Sequence, residues 1–237
     1  MTADPDPVIR TLVAVVTVVC VTACAAQQVA VDETFSGTGG LVDDPDWVVT
    51  SGSLFRDRGE GWTGTPDAGG SAGDTGSAVF RMVSARRDLA DVDVSLRLDV
   101  ERLTSTGRTP ARAYDGAHIW VRYRSDRELY AVSVDRRDAT MVVKKKCAGG
   151  ESNGGRYVDL SAVVPDTPIP LRRWQQISVT VRNQPDGSVV ISADRDGHTV
   201  EAVDRGAECP PLREGGIGIR GDNAELRFDD IRVVEAG

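Results

Sequence analysis

Beyond its first two dozen residues the chain alternates apolar and polar positions with a period of two, and nowhere carries a helical period of about 3.6 residues. In Asp91–Val100, residues Val92, Val94, Leu96, Leu98 and Val100 share one face of an extended segment, and Asp93, Ser95, Arg97 and Asp99 take the other. Ala117–Arg124 sets Ile119, Val121 and Tyr123 toward a predicted core, opposite His118, Trp120, Arg122 and Arg124. Leu129–Arg136 continues with Tyr130, Val132 and Val134 inward, and Met141-Val142-Val143 opens a strand that ends in Lys144-Lys145-Lys146. Gln175–Val181, a Pro185-Asp186-Gly187 turn and Ser188–Ala193 form a hairpin, and Asp196-Gly197 turns the chain again into His198–Val203. Gly216–Arg220 and Glu225–Val234 are the last strands. Within the latter, Leu226 and Phe228 have one parity and Ile231 and Val233 the other, which predicts a bulge near Asp229-Asp230. Two Gly-rich stretches, Asp57–Gly76 and Ala148–Gly155, have no period and read as loops. Short strands punctuated by Gly, Pro and Asp predict an all-β sandwich or barrel.

The first residues differ in kind. Thr11–Ala23 is uncharged and apolar, follows Arg10, and is shorter than the roughly 20 residues a membrane-spanning helix needs. It fits the hydrophobic region of a signal peptide. Val21-Thr22-Ala23-Cys24 resembles a bacterial lipobox, which would lipidate Cys24 and tether the protein to the outer face of the membrane. Ala23-Cys24-Ala25 also reads as a cleavage site for plain secretion, and Asp4 and Asp6 are unusual before an export segment, so secretion and an uncleaved anchor stay open. The predicted organisation is an export segment over residues 1–24, a short linker over 25–31 and one domain over 32–237.

Charge narrows the partners. Two acids and one base fall in residues 1–24, leaving 27 basic against 34 acidic residues in the remainder. Such a surface opposes nucleic acid, whose phosphates call for a surplus of Lys and Arg. Past the export segment only Cys147 and Cys209 remain, and an oxidising compartment makes a disulfide the expected state. A metal pair is the alternative, but His118 and His198 do not have metal-site spacing.

Several stretches then resemble a known superfamily. Asp32-Glu33-Thr34-Phe35-Ser36-Gly37 opens the domain, followed by Trp47 and Ser51-Gly52-Ser53-Leu54. The pair HIWVRYR and LYAVSV, then Trp174-Gln175-Gln176-Ile177 with its Asp-Gly hairpin, lead to the closing GGIGIRGDNAELRFDDIRV. In this order, over about residues 32–234, they resemble the concanavalin A-like lectins and glucanases, including laminin G-like and 3-keto-disaccharide hydrolase-like domains. The resemblance implies a two-sheet antiparallel jelly roll that binds sugars; it does not imply an activity, because this fold hosts lectins, hydrolases, lyases and inert spacers. The E-x-D-x-E strand of the family 16 glucanases is not matched. Its nearest counterpart, Asp91-Val92-Asp93-Val94-Ser95, lacks both glutamates, which argues against that two-carboxylate mechanism.

Three constellations carry candidate chemistry. His118, Trp120, Arg122 and Arg124, with Ser133 and Asp135 beside them, form a predicted ligand face: Trp offers a flat platform for a sugar ring and Arg and Asp bond its hydroxyls or a uronate carboxylate. The bland alternative is a solvated sheet face with Trp120 packed beneath a loop. Lys144-Lys145-Lys146, together with Arg122, Arg136 and Arg137, could form a basic cleft for anionic glycans, or simply protect an edge strand. Asp32, Glu33 and Asp230, where first and last strands of such jelly rolls meet, are candidate ligands of a structural calcium, the alternative being a bulge with exposed carboxylates. The tripeptide Arg220-Gly221-Asp222 is too short to signify adhesion, and His198 reads as a solvated hairpin residue.

The leading functional expectation is an exported, lipid-anchored, non-catalytic module that binds oligo- or polysaccharide. A glycan-cleaving enzyme is the alternative, with His118 as candidate base of a lyase and Tyr130 disfavoured by its inward parity. A structural or protein-interaction domain is the third.

Overall fold

The computed structural model describes residues 1, 28–67 and 77–236, and these contain strands and turns but no helix. The export segment with Cys24, residues 68–76 and Gly237 lie outside the described residues. Along the chain run β1 (Gln28–Glu33), β2 (Gly40–Leu41), β3 (Trp47–Ser51), β4 (Phe55–Asp57), β5 (Glu60–Trp62), β6 (Val79–Ser84), β7 (Val92–Leu103) and β8 (Gly116–Ser125). They continue as β9 (Glu128–Arg136), β10 (Val142–Ser152), β11 (Gly155–Asp159), β12 (Gln175–Asn183), β13 (Val189–Arg195), β14 (His198–Asp204), β15 (Gly216–Asp222) and β16 (Ala224–Glu235).

Two antiparallel sheets stack into a sandwich. The first has the order β14-β13-β12-β7-β16-β5-β4-β2, with β1 also on β16; the second has the order β11-β10-β9-β8-β15-β6-β3. Alternation explains the core: Val92, Val94, Leu96, Leu98 and Val100 from β7 are buried, as are Ile177, Val179 and Val181 from β12, and Ile119, Val121, Tyr130 and Val132 from the second sheet. Each such side chain stabilises by about 1.5–3 kcal/mol relative to exposure. Both hairpin turns form where the sequence places them, with Gly187 N donating to Gln184 O at 3.0 Å and with Asp196 and Gly197 at φ 47° and 89°.

The parity change in β16 is a bulge. The register with β7 shifts between Asp229 and Arg232, and Asp230 has φ 49°. It lets Phe228 and Ile231 both face the core, and it divides the far edge of β16 between β5, paired at Arg227 and Phe228, and β1, paired from Ile231 to Glu235. Cys147 and Cys209 are joined, with Cα atoms 6.1 Å apart, which ties β10 to the crossover from β14 to β15.

Three expectations are corrected. Strict alternation breaks at Arg122, which has φ 53° in a bulge where the β8–β15 and β8–β9 registers both shift. Tyr123 therefore lies on the outer face, stacked on Trp120 at 5.5 Å, while Arg122 turns away and donates to the carbonyls of Leu89 and Arg213 and to Asp91. Ala148–Gly155 is not a loop: β10 runs through Ser152 and returns in β11 by a turn at Asn153-Gly154, both with positive φ. The start of the other predicted loop likewise holds the β4–β5 hairpin, turning at Arg58-Gly59.

Candidate functional site

The outer face of the second sheet is where polar side chains converge. Register places Ser133 of β9, His118 of β8, Arg220 of β15 and Arg81 of β6 in one row across four strands. His118 Nδ1 shares a 2.9 Å hydrogen bond with Ser133 Oγ, and its Nε2 lies 3.2 Å from Asp222 Oδ2 without a well-directed bond. Arg220 grips the same carboxylate in a fork, Nε to Oδ2 at 2.5 Å and Nη2 to Oδ1 at 2.6 Å. All four residues are buried or nearly so. Burial alone would raise the Asp222 pKa, but the Arg220 charge and the His118 contact outweigh it and hold the carboxyl well below the ordinary range.

Above this row lies a cleft of about 300 Å³, at the lower end of the range for small-ligand sites. Trp120 and Ala131 continue its floor, Arg136 and Lys144 reach its rim, and Tyr114 and Tyr157 supply aromatic walls. Tyr114 is half exposed and comes from the β7–β8 loop. Asp115 anchors that loop, accepting from Arg112 N at 2.8 Å and from Asn223 Nδ2 at 3.1 Å. Asp67 anchors it further through the hydroxyls of Thr106 and Thr109, at 2.7 and 2.9 Å.

Of the six residues predicted for a ligand face, His118, Trp120 and Ser133 line the cleft together. Trp120 does so as a buried floor beneath Arg220, not as an exposed platform. Arg122 is carried away by its bulge, and Arg124 is exposed at the strand end against Glu214 O. Asp135 is fully buried on the core side, where it pairs with Arg195 and accepts from Gln175 Nε2 at 2.9 Å, because a second bulge at Ala117–His118 reverses its facing. The wider basic cleft does not assemble as drawn. Lys144 and Arg136 contribute, Lys145 points inward to Asp204 at 2.6 Å, and Arg137 pairs with Asp115. Lys146 lies beneath Tyr157, and burial followed by the charges of Arg220 and Arg81 pushes its pKa down to about 8.

The expected calcium ligands do not fit a metal. Asp32 pairs with Arg232 at 3.3 Å, Glu33 accepts from Phe35 N at 2.6 Å and Asp230 pairs with Arg97 at 2.7 Å, so each carboxylate already has its own partner. Among the described residues no group of three His, Cys, Asp or Glu side chains is placed to hold a metal ion. Nor is any helix among them long and apolar enough to cross a membrane.

Tyr114, Ala131, Ser152, Tyr157, Arg220 and Asp222 line the cleft without having been selected from the sequence. Arg220 and Asp222 lie in the Arg220-Gly221-Asp222 tripeptide, where two charged residues at i and i+2 of a strand were the available signal of a shared polar face.

The fold is a two-sheet antiparallel jelly roll, shared with solved structures of low sequence identity. A structure reported with endo-acting O-glycanases of the human gut microbiota that initiate mucin breakdown superposes with a TM-score of 0.58 at 10% identity, over 89% of this chain and 100% of that one. β-Agarase B from Zobellia galactanivorans gives 0.54 at 10% identity over 88% and 93%, and its inactivated mutant in complex with agaro-octaose gives 0.56. A Bacillus subtilis protein of unknown function with a galectin-like fold gives 0.53 at 11% identity over 88% and 97%. No family model and no curated protein matches the sequence.

Proposed function

We propose that this domain binds carbohydrate in the cleft over His118 and Ser133, as an exported module tethered through Cys24. One observation carries the reading: two tyrosine walls enclose a floor of hydrogen-bonding side chains, the combination that sugar recognition uses. Among the lining residues Arg136, Lys144 and Arg220 are cationic and Asp222 alone is a carboxylate. Arg136 and Lys144 are met by Asp138 at 2.6 Å and Asp159 at 2.8 Å outside the lining, pairs at the solvent-facing rim that an acidic sugar would compete for, so this cleft favours a sugar bearing carboxylate or sulfate. The shared fold with an agarase and a mucin-active enzyme group supports the ligand class without deciding it.

The test is a glycan array of neutral, uronate and sulfated oligosaccharides probed with the purified protein. Selective retention of acidic glycans, weakened at 0.5 M salt and by Tyr157→Ala, is the expected result. A folded protein that retains no glycan removes the reading and leaves a structural or protein-contact role.

A glycan-processing enzyme is the second reading, and the Ser133–His118–Asp222 chain is what favours it, since an imidazole between a hydroxyl and a carboxylate is the arrangement of an activated nucleophile. It ranks second because Ser133 sits mid-sheet, paired with both His118 and Val142, where neighbouring amides serve the ladder and not an oxyanion. His118→Ala separates the two: a binding module loses part of its affinity, whereas an enzyme using His118 loses turnover about 10²–10⁴-fold.

A further inference from the structure

Beside the main cleft lies a second hollow of about 160 Å³, lined among others by Val79, Thr109, Arg112 and Asn223. The two cavities share Tyr114 and Asp222 in their linings, so they adjoin, with the half-exposed Tyr114 between them. We propose that the hollow is a second subsite: the protein recognises a chain of at least two sugar units, with an acidic unit in the main cleft and a hydroxyl-bearing neighbour held by Asn223. This rests on the carbohydrate reading of the main cleft.

Asn223 carries the argument. It is 6% exposed, and three of its four polar groups are engaged: N donates to Ala78 O at 2.8 Å, O accepts from Thr104 N at 2.7 Å, and Nδ2 donates to Asp115 Oδ2 at 3.1 Å. Only Oδ1 is buried without a partner. Gln175 Oε1 and Asn183 Oδ1 are buried amide acceptors without a partner as well, but of the three only Asn223 lines one of the two cavities described, where a ligand could supply the missing donor. With Nδ2 committed to a carboxylate, the amide orientation is fixed and Oδ1 can serve only as an acceptor, which suits a ligand hydroxyl. The residue makes the turn between β15 and β16 at φ 43°, a left-handed state in which asparagine is enriched among non-glycine residues.

The surroundings fit a sugar more than an ion. Asp115 and Asp222 face the hollow with their charges already met, Asp115 by Arg137 and Asp222 by Arg220, and Arg112 is exposed at the rim. Tyr114, half exposed between the cavities, offers a ring face to the link between two units. Thr109 already donates to Asp67, which leaves Asn223 Oδ1 inside and the Arg112 guanidinium at the rim to read the second unit.

Calorimetric titration with galacturonate and hyaluronan fragments of one, two and three or four sugar units tests this. The wild type is expected to prefer the disaccharide to the monosaccharide by roughly five- to tenfold, one net hydrogen bond with its contacts. Arg112→Ala, which alters only the rim, should reduce that preference while leaving monosaccharide affinity unchanged. Asn223→Gly, which tolerates the backbone angle but also releases the Asp115 anchor of the Tyr114 loop, should weaken the disaccharide by a larger factor than the monosaccharide. A melting curve checks that each variant is folded, and Arg112→Ala stands if Asn223→Gly is not. Equal affinity for one and two units, or variants that weaken both alike, would overturn the second subsite and leave the main cleft as proposed. Wild-type protein that binds none of these sugars would overturn both.

Discussion

Asp222 offers the sharpest test of how the cleft is held together. Its carboxylate receives the Arg220 fork and stands against His118, and all three groups are withdrawn from water. Asp222→Ala leaves the Arg220 guanidinium buried without a counter-charge, which costs about 3–5 kcal/mol. For a domain of this size 1 kcal/mol corresponds to about 2–4 °C, so the melting temperature should fall by about 6–20 °C. Asp222→Leu combined with Arg220→Met removes both charges and should destabilise less than Asp222→Ala alone, because no orphaned ion remains. The pH dependence has a defined sign. A carboxyl whose native pKa is depressed contributes stability that is complete above its unfolded pKa, about 3.9, and is lost as pH falls toward the native value. The stability gap between wild type and Asp222→Ala should thus be constant from pH 5 to 8 and narrow only in strong acid. Urea denaturation at several pH values measures it, with an unchanged slope confirming the same folded and unfolded states. A gap under about 1 kcal/mol at pH 7, or one that closes near pH 6, refutes the reasoning.

Other consequences are as direct. Lys146 has a depressed pKa of about 8, so the unfolded chain holds its proton more tightly between pH 8 and about 10.4; the stability of wild type relative to Lys146→Met should rise across that window, as followed by denaturation at pH 7.5 and 9.5. Gly116→Ala would place a Cβ 2.2 Å from Asp135 O at φ 140°, and should lower stability by at least about 3 kcal/mol; Gly197→Ala, with open space but φ 89°, should cost only about 1 kcal/mol by thermal melting. Replacing Cys147 and Cys209 by serine reopens a separation of 62 residues and should cost about 4 kcal/mol, seen as a shift of the urea midpoint that matches the reduced wild type.

How much could be read from the chain depended on whether polar residues mark a face. In β12 and over Val92–Val100 of β7 one parity is apolar and the other polar, so strand, facing and core follow together. In β16 the switch from Phe228 to Ile231 exposes the bulge, since the intervening aspartates leave no other way to keep both apolar sides inward. In β8 nothing flags the break at Arg122: Trp120 and Tyr123 are large aromatics that suit either face, and a long arginine reads as polar although its guanidinium is buried on three backbone and carboxylate partners. The Ala148–Gly155 hairpin is polar and glycine-rich on both faces, so it has no period to detect. The cleft was half legible for a related reason. His118 and Ser133 come from consecutive strands with a readable period, whereas Tyr114 lies in an aperiodic loop, Tyr157 follows the glycine-rich hairpin, and Asp222 arrives on β15, which only the sheet order makes a neighbour of β8.

The pairing of β1 with the end of β16 has a mechanical consequence. A pull transmitted through the residues before Gln28 acts first on the Gln28–Glu235 pair and then on each pair in turn, the unzipping direction in which ladder bonds yield singly instead of sharing the load. Six residues can be drawn out this way, about 20 Å of chain. Peeling then meets Phe35, fully buried with its ring edge-on to Phe228 at 5.4 Å. The first strand thus acts as a short extensible leader, yielding under tension while the sandwich and the cleft on its opposite sheet keep their shape.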